Sequence, residues 1–301
     1  MTRLLPGPYC SQFLADFGAE VIKIEEPHVG DYARWTTPQV NGYSALFASL
    51  NRNKKSITLD LKSKTDREKF LTLVESSDVL IESFRPGVME RLGIGYDTLK
   101  KINPKLIYCA ITGYGQTGPY KDKPGHDINY LSYAGLLHYN TNDCEKPVVP
   151  AVQIADIGGG ALMGVAGILL ALIARQKTGK GQFVDISMLD GTVSWMQTIL
   201  PDYFAGKKYE KNELILAGGR ACYGVYETSD GRYLAVGALE PKFWKAFCEG
   251  IKRPDLIPLL NASQEKQKEI RNIIQTEIRK KSLAEWNEIF EQTEACVSPV
   301  L

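Results

Sequence analysis

Two short segments of this 301-residue chain place ionisable side chains beside glycines. The first, PGHDINY at residues 124–130, carries His126 and Asp127, and the second, QIADIGGG at residues 153–160, carries Asp156. Each segment is typical of a turn into a helix, where free N–H groups and the positive end of the helix dipole can stabilise a developing oxyanion. An imidazole and a carboxylate brought together there indicate general acid–base chemistry, in which a proton moves to or from a carbon.

Each residue also has a plainer interpretation. A histidine before a helix can be a polar loop residue, and Asp156 can be an N-cap. The three glycines after Asp156 argue for more than a cap, since each costs about 1 kcal/mol relative to alanine inside a helix. They predict that another group approaches this backbone closely.

The elements that position these segments follow from the hydrophobic pattern. Short β-branched runs predict strands at residues 19–25, 56–61, 78–82, 106–112 and 182–186. Helical patterns lie between them, at residues 65–76 and 96–102, and again from residue 189. This alternation predicts a mostly parallel sheet with helices on its faces, and such sheets bind ligands beyond the carboxyl ends of their strands.

The remaining segments predict a loop, a long helix and a second domain. Residues 113–124 are rich in Gly, Pro and Tyr and indicate a loop, and a long apolar helix follows from Asp156 to about Gln176, with Gly179 as its terminator. We predict a large domain at residues 1–200, a linker at 201–220 and a smaller domain at 221–301. The smaller domain begins with a hairpin around the turn SDG.

Composition excludes several classes of protein. The net charge of +1 lacks the basic excess of a general nucleic-acid or membrane-surface binder. The longest apolar run, residues 161–174, is stopped by Arg175 and is shorter than the roughly 20 residues of a membrane span. Six scattered cysteines without a CxxC pair favour neither a metal site nor a disulfide framework, and we expect a cytoplasmic protein.

Six segments resemble, in order, the signatures of the family III CoA-transferase group, which contains CoA-transferases and α-methylacyl-CoA racemases. They are LPGPYCSQFLADFGAEVIKIEEP (5–27), NRNKKSITLDLK (51–62), ESFRPGVMERLGIGYDTL (82–99), GYGQTGPY (113–120), GHDINY (125–130) and ADIGGG (155–160). The resemblance implies an acyl-CoA substrate and covers nearly the whole chain.

The resemblance also implies roles for individual residues. The aspartate that matches Asp156 is the nucleophile of the transferases and one of two proton-transferring groups of the racemases. A histidine in the position of His126 is typical of the racemases, which also place a glutamate, here Glu240, near it. We therefore expect racemisation of 2-methylacyl-CoA thioesters, with backbone N–H groups near Asp127 binding the enolate oxygen. CoA transfer between carboxylic acids and an inactive, truncated CoA-binding remnant remain the alternatives.

The phosphates of CoA need cationic partners, and arginine suits them through its planar fork of donors. The candidates are Arg34, Arg52, Lys54, Lys55, Arg85 and Arg91. Arg85 and Arg91 are favoured because they follow a predicted strand end. We expect no metal or redox cofactor, since only a proton moves and CoA is part of the substrate.

For the whole molecule, the resemblance implies an α/β fold with a Rossmann-like large domain, a smaller α+β domain and an interlocked homodimer. The active site would then lie between the large domain of one subunit and the small domain of the other, so that Glu240 acts across the dimer. Family members usually begin with one more strand and continue past residue 301 to return to the large domain. This chain is expected to lack both features.

Overall fold

The computed structural model describes residues 1–141, 146–207 and 213–301. Cys144 and positions 208–212 of the predicted linker lie outside the described residues. The chain divides into two compact units. The first consists of Met1–Leu137 and Val149–Leu200, and the second of His138–Val148 and Pro201–Leu301.

Parallel strands form the centre of the first unit. Strands β1 (Val21–Glu25) and β4 (Lys54–Thr58) pair in one sheet, and β5 (Val79–Glu82), β6 (Ile107–Thr112) and β7 (Phe183–Ser187) form a second sheet with β6 in the middle. A short antiparallel pair, β2 (Gln39–Val40) and β3 (Tyr43–Ser44), lies between β1 and β4 in the chain. The mixed α/β fold and its parallel strands are confirmed, although these strands form two sheets where the sequence predicted one.

Strand β6 is buried along its whole length, as expected for a central strand covered on both faces. Helices surround the two sheets: α1 (Pro6–Asp16), α2 (Ala45–Asn51), α3 (Lys64–Ser76), α4 (Val88–Arg91), α5 (Tyr96–Ile102), α6 (Asp127–Tyr133), α8 (Met163–Thr178) and α9 (Met188–Ser194). Short 3₁₀ turns occur at Tyr32–Trp35 and Trp195–Thr198. The predicted helix at residues 96–102 has the observed bounds of α5.

The long helix after Asp156 has an unexpected first part. Residues Ala155–Leu162 form a π-helix, which continues directly into α8. Gly179 ends α8 in the left-handed region, with φ of 69°, and its N–H bonds to the carbonyl of Arg175 at 2.8 Å. The predicted terminator is therefore confirmed.

The combined helical run is longer than the sequence pattern indicated. It covers Ala155–Thr178, which is 24 residues, and its most apolar 18 residues have a mean hydropathy of 2.2, so by length and composition the prediction that no segment is long enough to span a membrane was wrong. The helical run begins before the predicted apolar run at residues 161–174, because the glycines that precede residue 161 are also helical. Less than half of its most apolar window, 44%, is buried inside the protein, and core helices of soluble proteins meet the same criteria of length and composition.

The second unit is built around an antiparallel sheet. Strands β8 (Tyr223–Glu227) and β9 (Tyr233–Gly237) form the predicted hairpin, and β10 (Val297–Pro299), which the sequence did not predict, pairs with β9. Helices α11 (Pro241–Gly250), α12 (Gln264–Ile278) and α13 (Leu283–Glu291) and 3₁₀ turns at Ile215–Ala217 and Pro254–Leu259 complete it. Helices α7 (Leu136–Tyr139) and α10 (Leu200–Phe204) lie where the chain passes between units.

Each unit buries its own apolar side chains. In the second unit, Trp244, Phe247 and Trp286 pack with the hairpin side chains Tyr226 and Leu234. In the first unit, one core lies around Ile111, Tyr130 and Ile168, and another around Phe70, Leu99 and Tyr108. The elements that carry His126 and Asp156 belong to the first of these two cores.

Candidate active site

His126 is the residue immediately before α6 and is exposed to solvent. The loop that leads to it starts at the carboxyl end of β6 and is held against β7, because the N–H of Gln116 bonds to both carboxylate oxygens of Asp185 at 3.0 and 3.2 Å. The N–H of His126 itself bonds to Oδ1 of Asn129 at 3.0 Å. The loop that follows the central strand β6 therefore carries His126, and it starts at the edge of the sheet where the parallel strands end.

Asp156 lies in the first turn of the π-helix and is half-buried. Burial and the nearby charge of Asp127 raise the pKa of its carboxyl group from 3.8 to about 6, and the charge of His126 opposes this rise. A carboxyl group with a pKa near 6 can both hold and release a proton near neutral pH. Asp127 and His126 therefore both lie within electrostatic reach of Asp156.

The carboxylate of Asp127 joins the segment of His126 to the segment of Asp156. Its Oδ1 accepts hydrogen bonds from the N–H groups of Ala155, at 2.7 Å, and Asp156, at 3.0 Å. One oxygen atom thus ties the start of α6, next to His126, to the start of the π-helix. Asp127, His126 and Asp156, which are all predicted site residues, thus lie close together in the structure.

Backbone N–H groups near Asp127 are the predicted hydrogen-bond donors to the enolate oxygen, and some of them already have a partner in the structure. Those of Ala155 and Asp156 are already taken by Asp127. Asp127 is the first residue of α6, and N–H groups in the first turn of a helix have no partner within the helix. The N–H groups at the start of α6, that of Asp127 among them, therefore remain candidates.

The three glycines after Asp156 serve packing inside the protein. A Cβ atom at Gly158 would collide with the ring of Trp195, and one at Gly159 would lie 2.6 Å from the carbonyl oxygen of Met188. At Gly160 it would lie 2.8 Å from the Met188 side chain. The close neighbour predicted from the three glycines is therefore α9 with the turn after it. No ligand is needed to explain why glycines occupy these positions.

Two tyrosines that the sequence analysis did not select lie near the site. The charge of Asp156 contributes, after burial, to raising the pKa of both Tyr32 and Tyr130. Tyr130 belongs to the GHDINY segment, so its position was a signal that could have been used. Tyr32 lies in a loop more than 120 positions before Asp156 in the chain, and nothing in the local sequence connects the two.

The six predicted CoA-binding cations have different surroundings. Arg34 is engaged by the buried carboxylate of Glu25, with bonds of 2.8 and 2.6 Å, and its guanidinium stacks 3.9 Å from the ring centre of Phe47. Arg52 forms an ion pair with Asp16 at 2.5 Å. Their contact with CoA stays a prediction, and both side chains already have a carboxylate partner.

Among the other four, Lys54 is the most enclosed. Its ammonium donates to the carbonyls of Pro8 and Leu50 at 2.8 and 2.7 Å, and burial lowers its pKa to about 7. Lys55 is exposed and pairs with Glu20 at 2.5 Å. Arg85 and Arg91 are exposed. Burial raises the pKa of the Tyr130 phenol, and the charge of Arg85 opposes this rise, so Arg85 lies within electrostatic reach of Tyr130.

Glu240 lies in the second unit, where it is the exposed residue before α11. Its carbonyl accepts the N–H of Trp244 at 2.9 Å, and its side chain does not cap the helix. Its proposed contact with His126 stays a prediction.

A cavity of about 260 Å³ lies at the carboxyl ends of β1, β4 and β5. Its lining includes Glu25 and Glu26 at the end of β1, Leu59 after β4 and Phe84 after β5. This is the edge at which open parallel sheets bind ligands. His126 and Asp156 do not line it, so the cavity is distinct from the site of these two side chains.

In the described parts of the chain, no group of three or more His, Cys, Asp or Glu side chains is arranged to hold a metal ion. The expectation that the reaction uses no metal stays a prediction.

Comparison with known proteins identifies the family to which the chain is similar. The family model described as CoA-transferase family III matches residues 1–301. The chain is 37% identical over 304 residues to the α-methylacyl-CoA racemase of Homo sapiens, covering all of this chain and 75% of that protein. It is 35% identical over 311 residues to the acetyl-CoA:oxalate CoA-transferase of Acetobacter aceti, covering all of this chain and 78% of the relative.

A solved structure shows the same fold. The crystal structure of a CAIB/BAIF family protein from Brucella suis superposes with a TM-score of 0.83 at 31% sequence identity, over all of this chain and 82% of that one. Together with the family model, this similarity establishes that the chain belongs to CoA-transferase family III.

Proposed function

We propose that this chain racemises 2-methylacyl-CoA thioesters by moving the α-proton between two bases, His126 and Asp156. The observation that carries the proposal is the double hydrogen bond from Ala155 and Asp156 to Asp127, which holds the two bases in one site. Racemisation needs one group on each face of the α-carbon, one protonated and the other not. Two groups that come from separate helix starts can meet this requirement.

The proposed reaction has two proton transfers. One base removes the α-proton, the electron pair moves into the thioester carbonyl, and the resulting enolate oxygen accepts the N–H of Asp127. The other base then gives a proton to the opposite face. A pKa of about 6 lets Asp156 act as the base in one direction and, once protonated, as the acid in the other. Only a proton moves, so the proposal includes no cofactor besides the CoA of the substrate.

The cavity at the ends of β1, β4 and β5 is proposed to hold part of the CoA group. It lies beyond the carboxyl ends of parallel strands, where ligands bind in such sheets. Arg85, whose charge reaches Tyr130, is the proposed phosphate partner between this cavity and the bases. The homodimer, the approach of Glu240 to His126 and the cytoplasmic location belong to the same proposal, and they rest on the resemblance to the family and on composition.

CoA transfer is the second candidate function, and it is favoured by the half-buried carboxylate of Asp156 together with the similarity to CoA-transferases. In that reaction Asp156 attacks the thioester carbonyl, CoA leaves as the thiolate, and an enzyme-bound anhydride remains. Such an enzyme needs an acceptor acid and has no use for a second base at His126. An inactive CoA-binding remnant, the third alternative, would carry out neither reaction.

Solvent exchange separates these reactions. The chain is incubated in D₂O with each enantiomer of 2-methyldecanoyl-CoA and no acceptor acid, and α-deuterium is measured by mass spectrometry. We expect deuterium to enter the α-position of both enantiomers, and His126→Ala to lower the rate of inversion by about 10²- to 10⁴-fold, as for the loss of a general acid–base. Absence of exchange, a hydroxylamine-sensitive enzyme anhydride formed from the acyl-CoA, and formation of a new CoA thioester only when an acceptor acid is added would establish the transferase instead. Binding of CoA without either result would identify the remnant.

A further inference from the structure

The ring of Tyr130 fills the space beside two glycines on either side of the loop that leads to His126. A Cβ atom at Gly113, directly after β6, would lie 2.5 Å from the Tyr130 hydroxyl. One at Gly125, directly before His126, would lie 2.8 Å from the same ring. Both backbone segments therefore touch the face or edge of one aromatic ring, and neither position has room for a larger residue.

The hydroxyl group of Tyr130 adds a directional contact. It donates to the carbonyl oxygen of Gly125 at 2.6 Å. That carbonyl belongs to the peptide group whose N–H is that of His126, and this N–H donates to Oδ1 of Asn129 at 3.0 Å. Both ends of the peptide before the imidazole are thus held by side chains of α6.

The ring itself has little freedom to move. Tyr130 is 4% exposed, and the ring of Tyr114 packs against it at 5.1 Å with the planes nearly perpendicular. Tyr114 in turn contacts Tyr120 and Tyr133 edge to face, at 5.8 and 6.0 Å. A buried ring in such a cluster is a rigid reference for the backbone it touches.

The phenol keeps its proton at neutral pH. Burial and the charges of Asp156, Tyr114 and Asp127 raise the pKa of Tyr130, against a smaller effect of Arg85. The hydroxyl group therefore remains a donor to Gly125 over the working range of the two bases. Because its proton is used in this bond and its ring is buried, Tyr130 has no free proton to donate to a substrate.

We propose that Tyr130 is a positioning residue that sets the place and direction of the His126 imidazole by holding the Gly125–His126 peptide. The proposal concerns the geometry of His126, and only its effect on rate rests on the proposed racemisation. A misplacement of about 1 Å in a reacting group can cost about 10²-fold in rate, so the contact is expected to matter for catalysis.

The kinetic test compares the two enantiomers. In a two-base mechanism, each enantiomer loses its α-proton to a different base, and His126→Ala identifies the enantiomer that uses His126. We expect Tyr130→Phe, which removes only the hydroxyl group, to slow exchange of that enantiomer about 10-fold or more, at nearly unchanged KM, and to leave the other within about 2-fold. Tyr133→Phe is the matched control, because Tyr133 is 51% exposed and its hydroxyl contacts Lys123 at 3.3 Å, away from Gly125.

A second readout does not require activity. The chain has three histidines, so the ¹³Cε1 signals of His28, His126 and His138 can be assigned with single variants and followed by NMR. We expect Tyr130→Phe to shift the signal of His126 while the other two stay in place, and Tyr133→Phe to shift none. Gly125→Ala, which forces the ring away, should shift the same signal.

The outcomes separate the two proposals. If the wild-type chain exchanges neither enantiomer, the proposed racemisation fails and the His126 signal alone decides the role of Tyr130. An unchanged His126 signal in Tyr130→Phe, or equal slowing of both enantiomers in an active enzyme, would show that Tyr130 only fills the core and would overturn its positioning role.

Discussion

Asp127 acts on Asp156 in two separable ways, through a hydrogen bond and through its charge. The bonds from the N–H groups of Ala155 and Asp156 fix the distance between the segments that carry His126 and Asp156. The negative charge raises the pKa of Asp156, in addition to the larger effect of burial. An asparagine can keep the first effect and remove the second, because its Oδ1 is also an acceptor.

The first prediction uses this difference. In Asp127→Asn, ionisation of Asp156 no longer adds a second negative charge, so its pKa should fall. The acidic limb of kcat/KM, for the enantiomer that loses its proton to Asp156, should then move from near pH 6 to lower pH. Exchange rates measured between pH 4.5 and 8 check this, with thermal unfolding as a check on the fold.

Asp127→Ala is the control for the bond. It removes both the charge and the acceptor, so its limb should move in the same direction while the free energy of unfolding falls by about 1–3 kcal/mol. A limb that stays at the wild-type position in both variants would contradict the assigned effect of the Asp127 charge.

Asp156 itself reduces the stability of the native state at neutral pH. Its native pKa of about 6 lies above the ordinary value of 3.8, so the native state binds the proton more tightly than the unfolded state does. Its contribution to stability is therefore complete below about pH 4 and is lost as the pH rises through 6. The total loss is on the order of 3 kcal/mol at most.

The second prediction follows from this linkage. Asp156→Asn has no carboxyl group to ionise, so relative to the wild type it should gain stability between pH 4 and pH 7.5. Urea unfolding at the two pH values measures the gain, and the comparison of each variant with itself cancels any difference in packing. A difference between the variants that is the same at both pH values would disprove the raised native pKa.

At the scale of elements, the π-helix and α9 form the close contact that holds Asp156. Gly159 and Gly191 face each other there, since a Cβ atom at Gly191 would collide with the carbonyl oxygen of Gly159. π-helical turns are rare and occur often at functional sites. Here the turn places Asp156 at the end of a helix whose next residues lie against another helix, which limits how far its carboxylate can move.

The third prediction tests this contact. Gly191→Ala should lower the free energy of unfolding by about 1–3 kcal/mol or more, because backbone of a second helix must move to admit the methyl group. The intrinsic gain of alanine over glycine in a helix, about 1 kcal/mol, is too small to offset this. Denaturant unfolding gives the value directly.

Gly237→Ala is the matched control, since the nearest atom to its Cβ would be 3.8 Å away. It should unfold close to the wild type. Equal stability of Gly191→Ala and the wild type would mean that the two helices do not approach as closely as described.

At the scale of the whole molecule, the two units have separate cores, and the predicted site residues belong to both units. His126, Asp127 and Asp156 lie in the first unit and Glu240 in the second. The resemblance to the family implies that a glutamate in the position of Glu240 meets the histidine of the other subunit in a homodimer. Complementation between two variants tests this arrangement.

The fourth prediction is complementation between two inactive variants. His126→Ala and Glu240→Ala, expressed together, should form mixed dimers in which one of the two sites has both residues intact. Random pairing makes half of the dimers mixed, so about a quarter of the wild-type rate of inversion should return, since inversion needs both bases. Each variant expressed alone is the control. If the mixture is no more active than its components, Glu240 does not act across the dimer.

The sequence by itself determined the local features and the family. Strands such as β6 and helices such as α5 follow from hydrophobic periodicity over a few residues, and Gly179 ends α8 because only glycine enters the left-handed region readily. His126, Asp127 and Asp156 stand out because their neighbours are unusual in type and spacing. These features depend on residues close together in the chain, and a sequence displays them directly.

Only the tertiary structure decided which distant groups meet. The glycines after Asp156 pack against α9, Arg34 is held by Glu25, and Tyr130 lies between Gly113 and Gly125. Strand β10 pairs with β9 across some 60 residues of intervening chain, and its three residues carry no pattern long enough to predict a strand. The local sequence does not determine contacts of this kind, because the packing of elements elsewhere in the chain decides which partner a side chain meets.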